Sequence, residues 1–461
     1  MQYSMAIQEQ LYDDLRSHLF QRCYVERAGY LLCKLASSPT DIRLLATQFI
    51  PVNDADIVSS SRFHMSIRSQ SYVRAMKLAN EKRSCFVFVH SHPTGVPEHS
   101  NQDDVEEVKL FRTAHVRIEG ASVHASLVLS SPDHPVGRVW LPDGTHQPID
   151  SIRTIGNQIR LFHPPADEVS PDLEIYDRQV RAFGGDLQRI LKKLHVGVVG
   201  AGGTGSAVCE QLVRLGVGTL LISDGQTLDR SNATRVYGST LSDHGRPKVE
   251  IQREHLESLG FGTVIRTFDR DVTFQSVLEQ FRFCDVIFGC TDDEWGRALL
   301  TQFALYYLVP VFDMGVKIDS IGGTIRSIQG RVTMLGPGAP CLFCRQRITA
   351  KGVADQSSAI LDPAGTAERQ RDGYAPGIEE PAPAVITFTT AIVSSAVTEL
   401  LQRLTGFIGT ARESSEILHL FDQTSVRTNS RAGDPSCFCQ ETTRWGRGDV
   451  RPMLDLTWRP E

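Results

Sequence analysis

The chain has 461 residues, 41% of them hydrophobic and 22% charged, with a formal net charge of -6. That length exceeds what one hydrophobic core usually serves and predicts at least two domains, while the mild acidity leaves no basic excess for binding nucleic acid. Ten cysteines in so long a chain exclude a disulfide scaffold.

The opening Met1-Gln2-Tyr3-Ser4-Met5 lacks the positive segment, apolar run and small-residue cleavage site of an export signal, so the cytoplasm is the expected compartment. Short β-rich runs, Gly29-Tyr30-Leu31-Leu32-Cys33 and Cys85-Phe86-Val87-Phe88-Val89, surround a helix expected over 71–81 and predict an α/β domain spanning 1–160. The stretch 161–172, with His163-Pro164-Pro165 and Ser170-Pro171, breaks the periodicity and is the expected linker. Within 173–461, Val196-Gly197-Val198-Val199 reads as a buried strand, followed by a glycine turn, a helix over 206–215 and a strand over 219–223, which makes a βαβ unit. Stretches 285–289 and 309–312 read as later strands of the same sheet, giving a second α/β domain. The apolar run 385–401 is interrupted by Thr and Ser and contains Glu399, so it predicts a buried helix and no membrane span.

A hydrolytic zinc needs a few nitrogen and oxygen ligands and one open position, where water reaches a pKa of about 7. His90 and His92, two apart at the end of an apolar strand, place both imidazoles on one face, and Asp103 beyond a loop supplies a carboxylate. Such a pair alone is more often structural or superficial. The longer string is His90-Ser91-His92-Pro93, six residues, then Ser100-Asn101-Gln102-Asp103. It resembles the metal-binding motif of the JAMM (JAB/MPN) metallopeptidases, a family that includes many deubiquitinating enzymes and bacterial relatives. The resemblance implies a JAB/MPN α/β fold with a catalytic zinc on His90, His92 and Asp103. It also implies that Glu26, in Glu26-Arg27-Ala28-Gly29-Tyr30, moves the proton between water and the leaving amine, and that Ser100 stabilises the oxyanion. From the residues alone, Glu26 is equally an edge-strand carboxylate and Ser100 a cap for a helix starting near Gln102. His99 falls outside the pattern and reads as a loop histidine near substrate.

Gly200, Gly202 and Gly205 follow a strand and open a helix, so backbone N–H groups face a phosphate. Asp224 ends the next strand, where a carboxylate binds ribose hydroxyls. That much fits a nicotinamide dehydrogenase as well. The polar set that follows suits a triphosphate with a metal ion: Ser231-Asn232, Arg235 and Lys248 for phosphates, and Thr291-Asp292-Asp293 for magnesium. Together with Tyr176-Asp177-Arg178-Gln179, these residues resemble the ThiF/MoeB and ubiquitin-activating adenylyltransferases over roughly 173–440. The resemblance implies a Rossmann-like fold that uses ATP and Mg2+. Gly202, Gly203 and Gly205 form its nucleotide turn, Asp224 holds the ribose, Asn232, Arg235 and Lys248 the phosphates, and Asp292 the magnesium. Arg178 is implied to reach a neighbouring protomer's site, hence a homodimer. The reaction implied is attack on the α-phosphate by the C-terminal carboxylate of a small ubiquitin-like protein, giving an acyl-adenylate and pyrophosphate.

Cys341-Leu342-Phe343-Cys344 and Cys437-Phe438-Cys439 are expected to converge on a structural zinc, although the family's second pair is usually Cys-x-x-Cys. Cys23, Cys33, Cys85, Cys209, Cys284 and Cys290 are scattered. Two other departures stand out. Gln226 occupies a place where the family often has a second acid, and no cysteine lies between Cys344 and Cys437, so the crossover stretch 374–384 offers no thiol for a thioester. The expected acceptor is an external thiol, on a conjugating enzyme or a sulfur donor. Cys290, beside Asp292, is the internal alternative, but it reads first as a buried strand-end cysteine.

A peptidase that cuts after a C-terminal glycine exposes the carboxylate that an adenylating enzyme needs. The expected protein is therefore bifunctional, trimming or deconjugating a ubiquitin-like protein and then activating it, as in bacterial ubiquitin-like conjugation operons, antiviral defence systems among them. Sulfur-carrier activation, adenylation of a short peptide, and a scaffold without turnover are the alternatives.

Overall fold

The computed structural model describes all residues except 23, 94, 96–97, 131–133, 165–173, 367–382, 410–413 and 461. The chain divides into two compact units, the first made of Met1–Glu168 with Tyr306–Leu308 and Thr443–Val450, the second of the remainder. Sequence alone assigns those two short segments to 173–461. They cluster with the first unit because Gly448 N–H donates to Tyr306 O and Asp449 N–H to Leu35 O, each at 2.9 Å, and Asp449 Oδ2 accepts the Ser37 N–H at 2.7 Å.

In the first unit, β1 (Gln2–Gln8) leads into α1 (Glu9–Leu19), β2 (Ala28–Ser37) and β3 (Asp41–Pro51). A small hairpin, β4 (Ile57–Ser60) and β5 (Met65–Ile67), precedes α2 (Ser69–Glu81), β6 (Cys85–Ser91) and α3 (Asn101–Arg117). The unit closes with β7 (His124–Leu129), β8 (Pro135–Trp140), β9 (His146–Pro148), β10 (Ser151–Ile155) and β11 (Ile159–Phe162). Nine strands form one sheet in the order β11-β10-β1-β3-β2-β6-β7-β8-β9. The run Gly29-Tyr30-Leu31-Leu32-Cys33 is apolar throughout because β2 is covered on both faces. Leu31 and Cys33 join a core with Tyr12, Leu15 and Leu19 of α1. Tyr30 and Leu32 join the opposite core, with Met76 of α2 and Phe111 of α3. The expected linker begins inside β11, and its residues 165–172 lie outside the described residues.

The second unit starts with α4 (Asp177–Phe183), α5 (Gly185–Lys193), β12 (His195–Val199), α6 (Gly203–Arg214) and β13 (Thr219–Ser223). It continues through α7 (Lys248–Ser258), β14 (Val264–Phe268), α8 (Gln275–Gln280), β15 (Val286–Gly289), α9 (Glu294–Tyr306), β16 (Val311–Ile321) and β17 (Thr324–Leu335). It ends with α10 (Ala350–Leu361), α11 (Ile386–Thr405), β18 (Glu416–Leu420) and β19 (Ser425–Thr428). The sheet order is β14-β13-β12-β15-β16-β17-β18-β19, parallel through β16 and antiparallel beyond. Strand order reverses between β12 and β15, and in such sheets ligands bind beyond the carboxyl ends of the strands at that switch. The strand expected over 309–312 runs on to Ile321 and returns through Gly322 and Gly323, both with positive φ; this Gly-Gly turn suits a hairpin's twist. The run expected as a buried helix is α11, which buries Ile392, Val393, Ala396, Val397 and Leu400 at helical spacing. Among the described residues, no helix is long and apolar enough to cross a membrane.

Candidate functional site

The first constellation forms where β6 ends and α3 begins. His90 Nε2 lies 3.1 Å from His92 Nε2, and the Asp103 carboxylate oxygens lie 3.2 and 3.4 Å from these nitrogens. Two buried imidazole nitrogens so close need a proton or a cation between them. Tetrahedral zinc with ligands at about 2.0–2.1 Å requires ligand separations of about 3.3 Å, so the three side chains fit that ion. Burial pushes the Asp103 carboxyl up, but hydrogen bonds from His90 and His92 outweigh it and hold Asp103 well below the usual carboxylate range.

Glu26 is 8% exposed and lines the same cavity of about 460 Å³, with His90, Ser100 and Asp103. Burial raises its carboxyl above the ordinary value, with His90 and His92 drawing it back. The backbone around Glu26 is tied down on two sides. Arg27 N–H donates to Ser91 Oγ at 3.1 Å and Ser91 N–H to Arg27 O at 3.0 Å, joining Glu26's segment to the end of β6. Glu26 N–H donates to Ser61 O at 2.9 Å, and Ser60 Oγ–H to Glu26 O at 2.6 Å. Ser91, the middle residue of the His-Ser-His string, thus positions Glu26, a role that the motif's spacing does not reveal. Across the cavity mouth, Gln102 Nε2 and His64 Nδ1 lie 2.6 Å apart.

Ser100 is the N-cap of α3. Its Oγ accepts the Asp103 N–H at 3.2 Å, while its own N–H and O–H donate to Asp103 Oδ2 at 2.6 and 2.7 Å. The cap therefore also orients a member of the metal-fitting set. His99 is a loop histidine, as the sequence suggests, but its side chain is only 8% exposed and Nε2 lies 3.1 Å from Ser126 Oγ. Burial, then the Arg138 charge, push it down to about 2. Four residues along α3 from Asp103, Glu107 Oε2 accepts from Ser126 Oγ–H, Arg138 Nε–H and Trp140 Nε1–H at 2.6, 3.0 and 2.9 Å. Its helical offset from Asp103 was the available signal for Glu107.

The second constellation is built mostly from backbone. Gly200 follows β12 at a φ of +97°, and a Cβ there would lie 2.9 Å from the Cys290 carbonyl carbon. A Cβ on Gly205 would lie 1.7 Å from Gly200 O, so α6 approaches the strand end only with glycine at that position. The Arg235 side chain lies across Gly203, its Cγ 3.0 Å from that glycine's Cβ position, and its Nη1–H donates to Ser231 O at 3.1 Å. Asn232 opens the turn holding Arg235, whose N–H donates to Asn232 O at 2.9 Å. Asp224 follows β13 and accepts the Ala201 and Gln226 N–H groups at 2.7 and 2.8 Å. Burial raises its carboxyl, Lys248 lowers it, and Asp292 adds a like charge. Lys248 is 5% exposed and donates from Nζ to Gln226 Oε1 at 2.7 Å.

Asp293 accepts from Thr291 Oγ–H and the Gly296 N–H at the start of α9. Asp292, which is exposed, makes no side-chain hydrogen bond or ion pair among the described residues, leaving it the available carboxylate. Arg178 is exposed on α4, and none of the described contacts joins it to these groups. Burial pushes the Cys290 thiol well above its ordinary value, which keeps it protonated and a poor nucleophile.

Cys341 Sγ lies 3.8 Å from Cys344 Sγ and 3.6 Å from Cys437 Sγ, and Cys344 Sγ lies 3.6 Å from Cys439 Sγ. Zinc–sulfur bonds of about 2.3 Å require separations of about 3.8 Å, so this set too fits zinc, despite the short Cys-x-Cys spacing. The crossover residues 374–382 and Cys23 lie outside the described residues.

Residues 176–439 match the family model described as the ThiF family, and residues 8–141 match that described as prokaryotic homologs of the JAB domain. The adenylyltransferase and sulfurtransferase UBA4 of Meyerozyma guilliermondii is 30% identical over 173 residues, 37% of this chain and 39% of that protein. The sulfur carrier protein ThiS adenylyltransferase of Bacillus subtilis is 28% identical over 194 residues, 41% of this chain and 55% of that protein. The molybdopterin-synthase adenylyltransferase of Escherichia coli is 28% identical over 177 residues, 38% of this chain and 68% of that protein. The chain thus spans 39% and 55% of the length of the first two of these relatives. Among solved structures, E. coli MccB with MccA-N7isoASN aligns at a TM-score of 0.46 with 14% identity, over 58% of this chain and 74% of that one.

Proposed function

The chain belongs to the ThiF family and carries a JAB domain ahead of the ThiF region, and from that premise we propose a two-reaction enzyme for the C-terminus of a small ubiquitin-like protein. The first unit hydrolyses a peptide or isopeptide bond, exposing the carboxylate. The second joins that carboxylate to the AMP of ATP. The observation that carries this reading is the presence, in one chain, of a zinc-fitting His90, His92 and Asp103 set beside Glu26 and of a glycine turn flanked by Asp224, Lys248 and Arg235.

When bound by His90, His92 and Asp103, zinc supplies the Lewis acidity that makes water a nucleophile near neutral pH. Glu26 accepts the proton of the attacking water and returns it to the leaving amine; its burial, which raises its affinity for a proton, suits the return. Ser100 holds Asp103 in place and lines the cavity where the oxyanion develops. In the second unit, the N–H groups opening α6 face the phosphates, Asp224 takes the ribose, and Asn232, Arg235 and Lys248 disperse phosphate charge. Asp292 supplies the carboxylate for magnesium, which screens the triphosphate. Arg178 completes the site of a second protomer in a homodimer. Cys341, Cys344, Cys437 and Cys439 hold a structural zinc.

The acyl-adenylate passes to an external thiol, because Cys290 is protonated and no cysteine lies between Cys344 and Cys437. A conjugating enzyme is the preferred acceptor, in a bacterial ubiquitin-like operon of the antiviral kind. The named substrates of the relatives favour a second reading, in which the carrier is a sulfur carrier and the thiol belongs to a sulfur donor. The test is to incubate the full chain with a ubiquitin-like sulfur-carrier protein bearing a short extension after its C-terminal glycine, with and without ATP, and to weigh its C-terminus by mass spectrometry. Shortening without ATP and an added adenylate with it are expected; an unchanged mass in both would defeat the reading.

A further inference from the structure

Metal-binding imidazoles ordinarily donate their second ring N–H to a carboxylate, carbonyl or water, which fixes the ring plane. His90 lacks that support: its Nδ1 is buried and finds no hydrogen-bond partner among the described residues. Its ring is held by other rings. Phe88 stacks on it with centroids 5.2 Å apart and planes 23° apart, and His99 meets it edge-on at 6.5 Å and 73°.

His99 is anchored in turn. Ser126 gives its only hydroxyl proton to Glu107 Oε2 at 2.6 Å, so the 3.1 Å contact with His99 Nε2 is a bond that His99 donates. Glu107 Oε2 also accepts from Arg138 and Trp140, and Arg138 reaches Asp104 at 2.5 Å on the same helix. One buried carboxylate thus ties α3, which carries Asp103, to Ser126 of β7, and through Ser126 to the ring beside His90.

We propose that His99 is a positioning residue for the metal site: its ring edge sets the His90 plane, and Ser126 with Glu107 fixes His99. The proposal rests on the reading of His90, His92 and Asp103 as a metal site. A hydrogen bond to Nδ1 would constrain His90 along one direction. Clamping between Phe88 and His99 constrains the whole ring plane, and makes metal affinity depend on a residue outside the three-ligand set.

The test is cobalt(II) binding to the full chain, read as affinity in competition with a chelator and as the visible d–d spectrum. The Asp103→Ala protein, which keeps the four-cysteine set, is subtracted as background. His99→Ala is expected to weaken binding about tenfold or more and to change the band shape. His99→Phe, which keeps a ring edge, should recover most of the affinity, and Ser126→Ala should fall between. Should His99→Ala lose its fold, His99→Gln replaces it, since it can still donate to Ser126 but has no ring. Wild-type affinity and spectrum in His99→Ala, or a His99→Phe as weak as His99→Ala, overturns the proposal and leaves the metal site standing. No cobalt beyond background in the unmutated chain overturns the metal site and the proposal together.

Discussion

The two candidate sites are made of different material. Around His90, side chains make the site: the His90 imidazole, the Asp103 and Glu26 carboxylates and the Ser100 hydroxyl line one cavity, His92 closes on His90 and Asp103, and Ser91 holds the backbone beside Glu26. Around Gly200, the absence of side chains does the work, because Gly200 O lies 1.7 Å from where a Cβ on Gly205 of α6 would stand. A side-chain site fails when a functional group is removed. A backbone site fails when an atom is added.

The largest expected effect separates the two directly. The His90, His92 and Asp103 set opens to a cavity and offers three ligands, whereas Cys341, Cys344, Cys437 and Cys439 offer four thiolates, three of them on buried residues. A zinc-selective chelator, with magnesium kept in excess, should strip the three-ligand set first, so hydrolysis should drop to background while ATP–pyrophosphate exchange continues. Parallel loss of both activities would break the comparison. Next, Glu26→Gln should lower hydrolytic kcat by about 10²–10⁴-fold with metal content unchanged, as measured on a carrier with a C-terminal extension.

Adding one methyl group then tests the backbone site. Gly205→Ala forces the turn apart and should cost at least tenfold in pyrophosphate exchange. Gly202→Ala meets nothing within 4 Å, so the unliganded protein should keep its unfolding temperature, and only the KM for ATP should rise. Equal effects of the two alanines on stability would show that the turn has slack that the close approach at Gly205 denies.

Much of the first site was legible because its parts are close in sequence. A strand end brings His90 and His92 together, and the helix cap at Ser100 turns Asp103 back toward them, all within one short string. The supports were not legible. Arg138 lies 31 residues from Glu107 and Ser91 lies 64 from Arg27; the packing of α3 on the sheet brings the first pair together and strand register the second. Glycine spacing marked the nucleotide turn without telling which glycine is structurally obligatory. Gly200, with its left-handed φ, was named in the turn but left out of the nucleotide-binding set, whereas Gly202, in open space, was included. The β16–β17 hairpin was missed although Gly322-Gly323 announced it, because an apolar strand signal ending at Phe312 says nothing of an exposed extension.

A smaller effect concerns acid. His124, the first residue of β7, accepts the Phe86 N–H at Nδ1, and burial followed by the His115 charge push it down to about 3. An unfolded histidine binds its proton near 6.5. Between those values the unfolded chain holds more protons, so stability is intact above about pH 6.5 and falls as pH drops, by about 1.4 kcal/mol per pH unit. The second unit's His419 is only partly buried. Hydrogen exchange on metal-free protein should therefore show the first unit opening earlier on acidification, and His124→Gln should reduce that slope, leaving the share that buried His99 contributes.

The smallest effect probes Gln226, where the family often has an acid. Lys248 is nearly buried, and its Nζ rests against the neutral Gln226 Oε1 at 2.7 Å. A neutral partner leaves the ammonium charge available to a phosphate, whereas a carboxylate there would pair with it in a low-dielectric setting. Gln226→Glu changes the charge at almost constant shape. Binding of the triphosphate then has to compete with an ion pair, so the KM for ATP should rise a few-fold, with kcat nearly unchanged because the glycine turn and Asp224 keep their geometry. A fall in kcat at constant KM would mean that Lys248 acts on the transition state and not on the bound nucleotide, which would make even this backbone-built site depend on one side chain for its chemistry.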